Sequence, residues 1–313
     1  MITNLSQSSW DQKTIELVGS IFQSCVWGQF HESLGYRIHR FSGDDFTCLA
    51  IEETLPLGKK YIYSPRGPVG EAQSALADFK QLENDRGLVF ARLEPYQKLN
   101  LSPAIKNPQP TNNWILNLEK SEEELLIGMK PKTRYNINLA LRKGVIVREG
   151  NQSDLLAFYQ LMLETANRAG IRLHAQQHYF KMWDALAPEH IKLLLASYQG
   201  QVLAGMLLTV YGPTATYLHG GSSQKMKEAM APYLMHWEAI RLAKNLGATT
   251  YDFGGIAPNG DQAHAWSGIT RFKKGFGGVE AVYPGAFDLI FSPIWYNVYK
   301  QGRKLSRVLK TYK

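Results

Sequence analysis

Cysteine is scarce: Cys25 and Cys48 are the only two in 313 residues. Two thiols cannot build the dense disulfide framework of a small secreted domain, and they suit a reducing cytoplasm. Long apolar runs are also missing. None approaches the ~20 residues that a bilayer-spanning helix needs. The opening MITNLSQSSW shows no basic segment followed by an apolar one, so no secretory leader is expected and the expected location is cytoplasmic. There is no HExxH, no CxxC and no close His/Asp cluster, so no metal is expected. A GxSxG elbow is absent, because Gly220, Gly221, Ser222 and Ser223 lack the spacing. Neither a Walker A loop nor a dinucleotide fingerprint occurs.

What is present is a globular composition, 44% hydrophobic and 12% aromatic, with a net charge of +8. This length allows two domains or one duplicated domain. The cationic excess favours an anionic partner: RNA, a phosphorylated substrate or a membrane surface.

One stretch, Thr250 to Gly278, organises the rest. Tyr251 and Phe253 alternate with Thr250 and Asp252 as in a short buried strand, which Gly254 and Gly255 end. A polar loop leads to a glycine-rich segment holding Arg271, Phe272, Lys273, Lys274 and Phe276. Such a segment can present a fixed positive charge to a developing oxyanion; it can equally be a solvated basic loop. Asp252 reads as structural, bonding backbone amides beside Gly254.

Along the chain, Ser24 caps a helix to Leu34, and strands follow near 36–41 and 46–53. A loop around Arg66 is expected at 61–70, a helix at 71–86 and a strand at 88–93. After a proline-rich connection come a strand at 114–118 and a helix from Ser121 with Glu124 completing a capping box. Pro131 interrupts that helix, a basic one follows to Lys143, and 145–148 is a strand. The second half repeats the plan. It has a helix capped by Ser153 with Leu155, Leu156, Tyr159, Met162 and Leu163 inward, and a helix at 176–186. A hairpin at 191–210, a strand at 214–220, a long helix at 232–246 and the focal strand complete it. A final helix carries Lys300, Arg303, Lys304, Arg307, Lys310 and Lys313 beside a stripe of Ile294, Val298, Leu305, Val308 and Leu309.

The expected fold is α+β, two tandem GNAT-like domains at 1–145 and 146–313. A coenzyme-A-dependent GNAT enzyme usually carries a glycine loop where the long helix begins. Here Ser223 to Ala231 contains no glycine, which argues against that carrier.

Five segments occur together in order: Trp27 and Gly28 with Phe30; Tyr63 to Val69; Met129 to Ile137 with Lys143, Gly144 and Val145; Tyr251 to Gly255; and Gly268 to Gly277. Together they make the chain resemble the Fem (FemABX) family of peptidoglycan interpeptide-bridge aminoacyltransferases, in its compact, arm-less form. The resemblance implies transfer of an amino acid from aminoacyl-tRNA, as co-substrate and with no cofactor. The acceptor it implies is the stem-peptide side-chain amine of a peptidoglycan precursor, lipid II or UDP-MurNAc-pentapeptide.

It also implies roles. Phe272 and Lys273 stand at the reaction centre, expected at the floor of a groove between the two lobes. Lys273 stabilises the oxyanion or holds the donor terminus. His31 stands where the family commonly has a lysine gripping the nucleotide diphosphate, and a neutral imidazole is a poorer phosphate ligand. Arg168 resembles a second diphosphate ligand, or is ordinary compensation of a helix C-terminus. Tyr217 lines the cleft or merely packs. Glu94 stands where members have an acidic residue suited to gripping an acceptor amine. Lys132, Arg134, Arg271 and Lys274 are candidate tRNA contacts, with salt-dependent binding expected. The C-terminal stripe can meet an anionic membrane. Two other classes stay open: an N-acyltransferase of this fold with another activated donor, and a non-catalytic RNA- or membrane-binding module.

Overall fold

A computed structural model describes residues 5–80 and 87–311, the side chains of residue 259 and of 305–311 excepted. In chain order the first 111 residues give α1 (Gln7–Glu16), α2 (Cys25–Ser33), β1 (Arg37–Ser42), β2 (Phe46–Thr54), β3 (Lys60–Ser64), β4 (Val69–Gly70), β5 (Leu88–Leu93) and β6 (Ser102–Pro103). The middle gives β7 (Asn112–Asn117), α3 (Glu122–Gly128), α4 (Pro131–Lys143), β8 (Ile146–Glu149), α5 (Leu155–Ala169), α6 (Gln176–Leu186), β9 (Ile191–Tyr198), β10 (Gln201–Tyr211) and β11 (Thr214–Ser222). Then come α7 (Ala231–Asn245), β12 (Thr250–Gly255), α8 (Ser267–Lys274) and β13 (Val279–Val282). The chain closes with β14 (Phe287–Ile290) and α9 (Pro293–Thr311).

Two compact units result. The first joins the described residues up to Thr111 with those from Tyr283 onward, and the second is Asn112–Val282. Each is built on a seven-stranded mixed sheet, in the order β1-β2-β3-β5-β14-β6 with β4 beside β2, and β13-β7-β12-β11-β10-β9-β8. The boundary expected at 145/146 therefore falls inside the second unit. Strand pairing decides this: β7 pairs with β12 and β13, while β14 returns to pair with β5. A linear reading of local patterns does not see such partners.

In the first unit a buried pair fixes the returning strand. Arg92 donates from Nε and Nη2 to the two oxygens of Asp288, both at 2.8 Å, and the Tyr296 hydroxyl of α9 donates to the same carboxylate at 2.6 Å. With both partners buried, removing either leaves a lone charge, a loss on the order of 3–5 kcal/mol.

Local rules explain most element ends. Ser24 Oγ accepts from Trp27 N at 3.1 Å, and the Ser121–Glu124 box is complete. Pro131 sits in the first turn of α4, where no amide is needed, and Gly144 closes it at φ +84°. Three readings change. Residues 61–64, expected within a loop, belong to β3, and only 65–68 loop before β4. The turn into α5 is capped by Asn151, not Ser153, so the helix starts at Leu155 and its face rotates. Leu155 and Met162 are buried as expected, but Leu156 is 50% exposed, Tyr159 and Leu163 are only partly buried, and Phe158, Leu161 and Ala166 complete the inner face. The helix expected at 71–86 is helical at 76–80, and 81–86 lies outside the described residues.

Candidate active site

The second unit contains a fork. β11 and β12 are parallel neighbours over only three pairs, Thr214 with Thr250 to Thr216 with Asp252. Beyond them β11 continues to Ser222 and β12 to Gly255 without pairing to each other. Each strand is also distorted against its other neighbour: the β10–β11 register slips at Leu207/Leu208, and the β12–β7 register slips between Asp252 and Gly255. Parting parallel strands open a crevice at their carboxyl ends, the usual ligand position in open sheets.

Lys273 fills this opening. The segment expected as a glycine-rich loop instead forms helix α8, which turns Lys273 inward while Arg271 stays exposed. Lys273 is only 6% exposed, its Nζ donates to Gly255 O at 2.7 Å, and it lies 5.8 Å from the centre of the Tyr217 ring. Burial pushes its pKa down to about 8, against which the nearby Asp252 carboxylate pulls upward. Asp252 fixes the turn as expected: it accepts from Gly254 N at 2.7 Å and from the Asn113 amide at 2.8 and 3.1 Å. Gly254 has φ +74°, which a side chain tolerates poorly, and a Cβ there would stand 3.8 Å from the lysine Nζ.

Beside the fork lies a cavity of about 710 Å³, whose walls include Tyr217, His236, Phe272 and Trp266, with Arg168, Lys225 and Lys227 supplying cations. Tyr217 is held by its own strand. A Cβ on Gly220 would come within 2.0 Å of the Tyr217 hydroxyl, so only glycine admits the ring. Burial raises its phenol to about 12. Arg168 is exposed and donates to Ser222 O at 3.3 Å, which holds it to the end of β11. The glycine-free approach to α7 still visits left-handed backbone, with Met226 at φ 46° and Met230 at φ 56°. Such conformations in side-chain-bearing residues are held only by surrounding structure and gather at ligand sites.

The fork and cavity thus bring together Lys273, Phe272, Tyr217 and Arg168. Sequence reasoning missed His236, Trp266, Lys225 and Lys227. Lys225 and Lys227 lay in the glycine-free segment already singled out, and His236 sits within the predicted long helix, where helical spacing gave it no signal apart from core residues. Two of the remaining cationic candidates have local employment. Arg134 donates to the carbonyls of Leu126 and Ile127 at 3.2 and 3.1 Å, and also to that of Met129, closing the end of α3. Lys274 pairs with Glu280 at 3.7 Å and lies 4.9 Å from the Trp114 ring centre. Lys132 is exposed.

In the first unit, His31 packs its ring against Trp27, Phe30 and Tyr36 at 5.5, 4.9 and 5.6 Å. Glu94 is 2% exposed, and both its oxygens are taken, one by the Tyr63 hydroxyl at 2.6 Å and one by Gln109 N at 2.9 Å. Burial raises its pKa in spite of those bonds.

A FemAB family model matches residues 96–200 and 196–304. The lipid II:glycine glycyltransferase of Staphylococcus saprophyticus is 24% identical over 272 residues, 64% of this chain and 66% of that protein. That of Staphylococcus aureus is 23% identical over 277 residues, again 64% and 66%. The chain therefore spans just under two thirds of the length of these curated relatives. The crystal structure of FemX superposes with a TM-score of 0.82 at 20% identity, covering 95% of this chain and 98% of that one. The C-terminal domain of a putative lysylphosphatidylglycerol synthetase from Agrobacterium fabrum follows at 0.56 and 11% identity, over 91% and 92%. The fold is the α+β, tandem GNAT-like one that the repeat in the sequence implied.

Proposed function

The chain belongs to the FemAB family, and from that premise we propose that it is an aminoacyltransferase acting on a peptidoglycan precursor with aminoacyl-tRNA as donor. The observation that carries the reading is Lys273, buried in the strand fork with one N–H on Gly255 O. An ammonium has three donors, so two remain for an oxygen of the substrate.

An aminoacyl ester is already activated, and the reaction asks chiefly for positioning and for charge stabilisation at the carbonyl oxygen. The acceptor amine forms a C–N bond to the ester carbon, and the carbonyl oxygen becomes an oxyanion facing the Lys273 ammonium. The C–O bond to the tRNA ribose then breaks, and the proton lost by the amine ends on the ribose hydroxyl. Nothing is oxidised or reduced. Below its pKa of about 8 Lys273 is mostly cationic, the form this role needs.

Donor RNA fits the exposed face of α4, where Lys132 and Arg142 flank Tyr135, itself 58% exposed, with the Arg142 guanidinium 5.9 Å from its ring centre. Cations beside an exposed ring suit phosphate and base alike. A lipid-linked acceptor is supported by α9, which exposes Ile294 and Val298 at 77% and 52% on one stripe and carries Lys300 and Lys304. Among the described residues no helix is long and apolar enough to cross a membrane, so the contact proposed is peripheral.

The test is transfer of radiolabelled amino acids from charged total tRNA to purified lipid II and to the UDP-linked pentapeptide. Transfer is expected, and RNase added after charging should abolish it. Transfer that survives RNase, or that needs an acyl-CoA, contradicts the reading.

A further inference from the structure

We propose that His236 is a second hydrogen-bond donor to the reacting carbonyl, a neutral imidazole that presents its Nε2–H to the cavity beside Lys273. This rests on the transferase reading of the same site and adds a residue that nothing in the sequence marked.

Geometry comes first. His236 projects from α7, is 2% exposed and lines the cavity with Tyr217 and Phe272. Its Nδ1 stands 3.2 Å from the Tyr251 hydroxyl. The other polar neighbour of that hydroxyl is Met206 Sδ at 4.0 Å, a weak acceptor. Nδ1 is the nearer and stronger acceptor of the two, so the hydroxyl proton is assigned to Nδ1 and the ring's own proton to Nε2. Among the described residues no group takes Nε2, and it is not one of the sealed polar atoms that lack a partner. It opens on the cavity its ring lines. The Tyr217 ring is shared: its centre is 4.6 Å from the His236 ring and 5.8 Å from Lys273 Nζ.

Chemistry then narrows the role. His236 is packed among Phe253, Phe272 and Phe276 at 5.5, 5.3 and 5.5 Å. The charged group facing it is Lys273 of α8; from β12 it meets Tyr251 and Phe253, neither of them charged. Burial, and next the Lys273 charge, push its pKa down to about 3. A ring that stays neutral across the working pH range is a poor base, but it remains a donor. In a site walled by aromatic rings a preorganised neutral donor aimed at a forming oxyanion stabilises the transition state more than it would in water.

Packing alone is the competing explanation, and the two use different nitrogens. Packing needs the ring and its bond to Tyr251 through Nδ1; donation needs Nε2. His236→Asn places its amide near the Nδ1 position only, whereas His236→Gln reaches the Nε2 position. With charged total tRNA and purified precursor, His236→Asn is expected to lower kcat about 10- to 100-fold with KM unchanged, less than the roughly 10²- to 10³-fold of losing a principal oxyanion donor because Lys273 remains. His236→Gln should recover most of that loss, and wild-type kcat should show no inflection near pH 6.5. Asparagine restoring activity better than glutamine, or both falling alike with a matching drop in Tm, overturns the proposal in favour of packing. Should both variants fail to fold, Tyr251→Phe decides: it keeps the ring but frees the tautomer, and kcat should fall severalfold at constant KM. An unchanged kcat there overturns the proposal. Lys273→Ala serves as the reference. If it retains full turnover, the reaction centre itself is misplaced and the histidine proposal falls with it. If it loses turnover while His236→Asn does not, only the histidine's role is refuted.

Discussion

Each unit contains one pair of adjacent parallel strands, and the two pairs end differently. In the first, β3 and β5 slip by one residue between Lys60 and Ile62 but remain paired through to Ser64 with Leu93, the last residues of both strands. The chain then seals the ends: Glu94 N donates to the carbonyls of Ser64 and Gly67 at 3.2 and 2.8 Å, and the Glu94 carboxylate is satisfied on both oxygens. In the second, β11 and β12 part after three pairs, and a lysine with one protein hydrogen bond occupies the gap. The buried ionisable group in the sealed pair is spent on structure. The one in the open pair keeps donors in reserve.

The sharpest break of this contrast is at Lys273. Lys273→Met keeps the length of the side chain and removes its charge, and turnover should fall roughly 10²- to 10³-fold, the scale of losing an oxyanion donor. Stability should move the other way. The folded-state pKa of about 8 lies below the ordinary lysine value of 10.5, so the folded state sheds its proton first. Below about pH 8 both states are protonated and the full burial penalty, roughly 3 kcal/mol by the shift, is present. Between about 8 and 10.5 the unfolded state binds the extra proton, so wild-type stability rises with pH. Lys273→Met should be at least as stable as wild type at pH 7 and should lack that rise; denaturant melts across the range check it.

Next is Gly220→Val. A Cβ 2.0 Å from the Tyr217 hydroxyl must displace the ring, and turnover should fall about tenfold as the cavity wall moves. Steady-state kinetics at unchanged fold, followed by circular dichroism, reads it. Glu94→Gln tests the sealed pair. One satisfied oxygen becomes an amide facing a donor, so unfolding free energy should fall by about 1–3 kcal/mol, with acceptor KM little altered. A raised acceptor KM at unchanged Tm would instead assign Glu94 to acceptor binding. Lys274→Ala is the smallest. Its pair with Glu280 is part-exposed, and stability should change by less than about 1 kcal/mol. A loss of donor affinity that steepens at low salt would show that Lys274 meets RNA.

Much of this was legible in the chain because the rules involved are local. The Ser121–Glu124 box, the Gly144 stop and the hairpin at 191–210, whose turn is Gln199 and Gly200, each depend on a few consecutive residues. Lys273 and Phe272 were singled out through an ordered set of motifs, and the structural part of Asp252 through its place beside two glycines. The rest depends on partners distant in sequence. β14 joins β5 across nearly 200 positions, so the unit boundary was misplaced. Four glycines scattered around Lys273 (Gly268, Gly275, Gly277 and Gly278) masked a two-turn helix, since tertiary contacts such as Ala257 N donating to Thr270 Oγ1 at 2.8 Å override weak propensity there. Arg134 looked like a free cation because nothing in its neighbours' identities reveals that they expose carbonyls at a helix end. His236 was invisible: on an apolar helix it reads as core until the fork beside it is seen.

The most direct measurement is the titration of Lys273 itself, by NMR of a lysine-labelled protein assigned with Lys273→Met, beside the pH dependence of single-turnover transfer. The expected midpoint is about 8, matched by an alkaline limb in the transfer rate that Lys273→Arg shifts upward. A midpoint at the ordinary lysine value of 10.5, with a transfer rate indifferent to it, would contradict a buried lysine at the reacting ester.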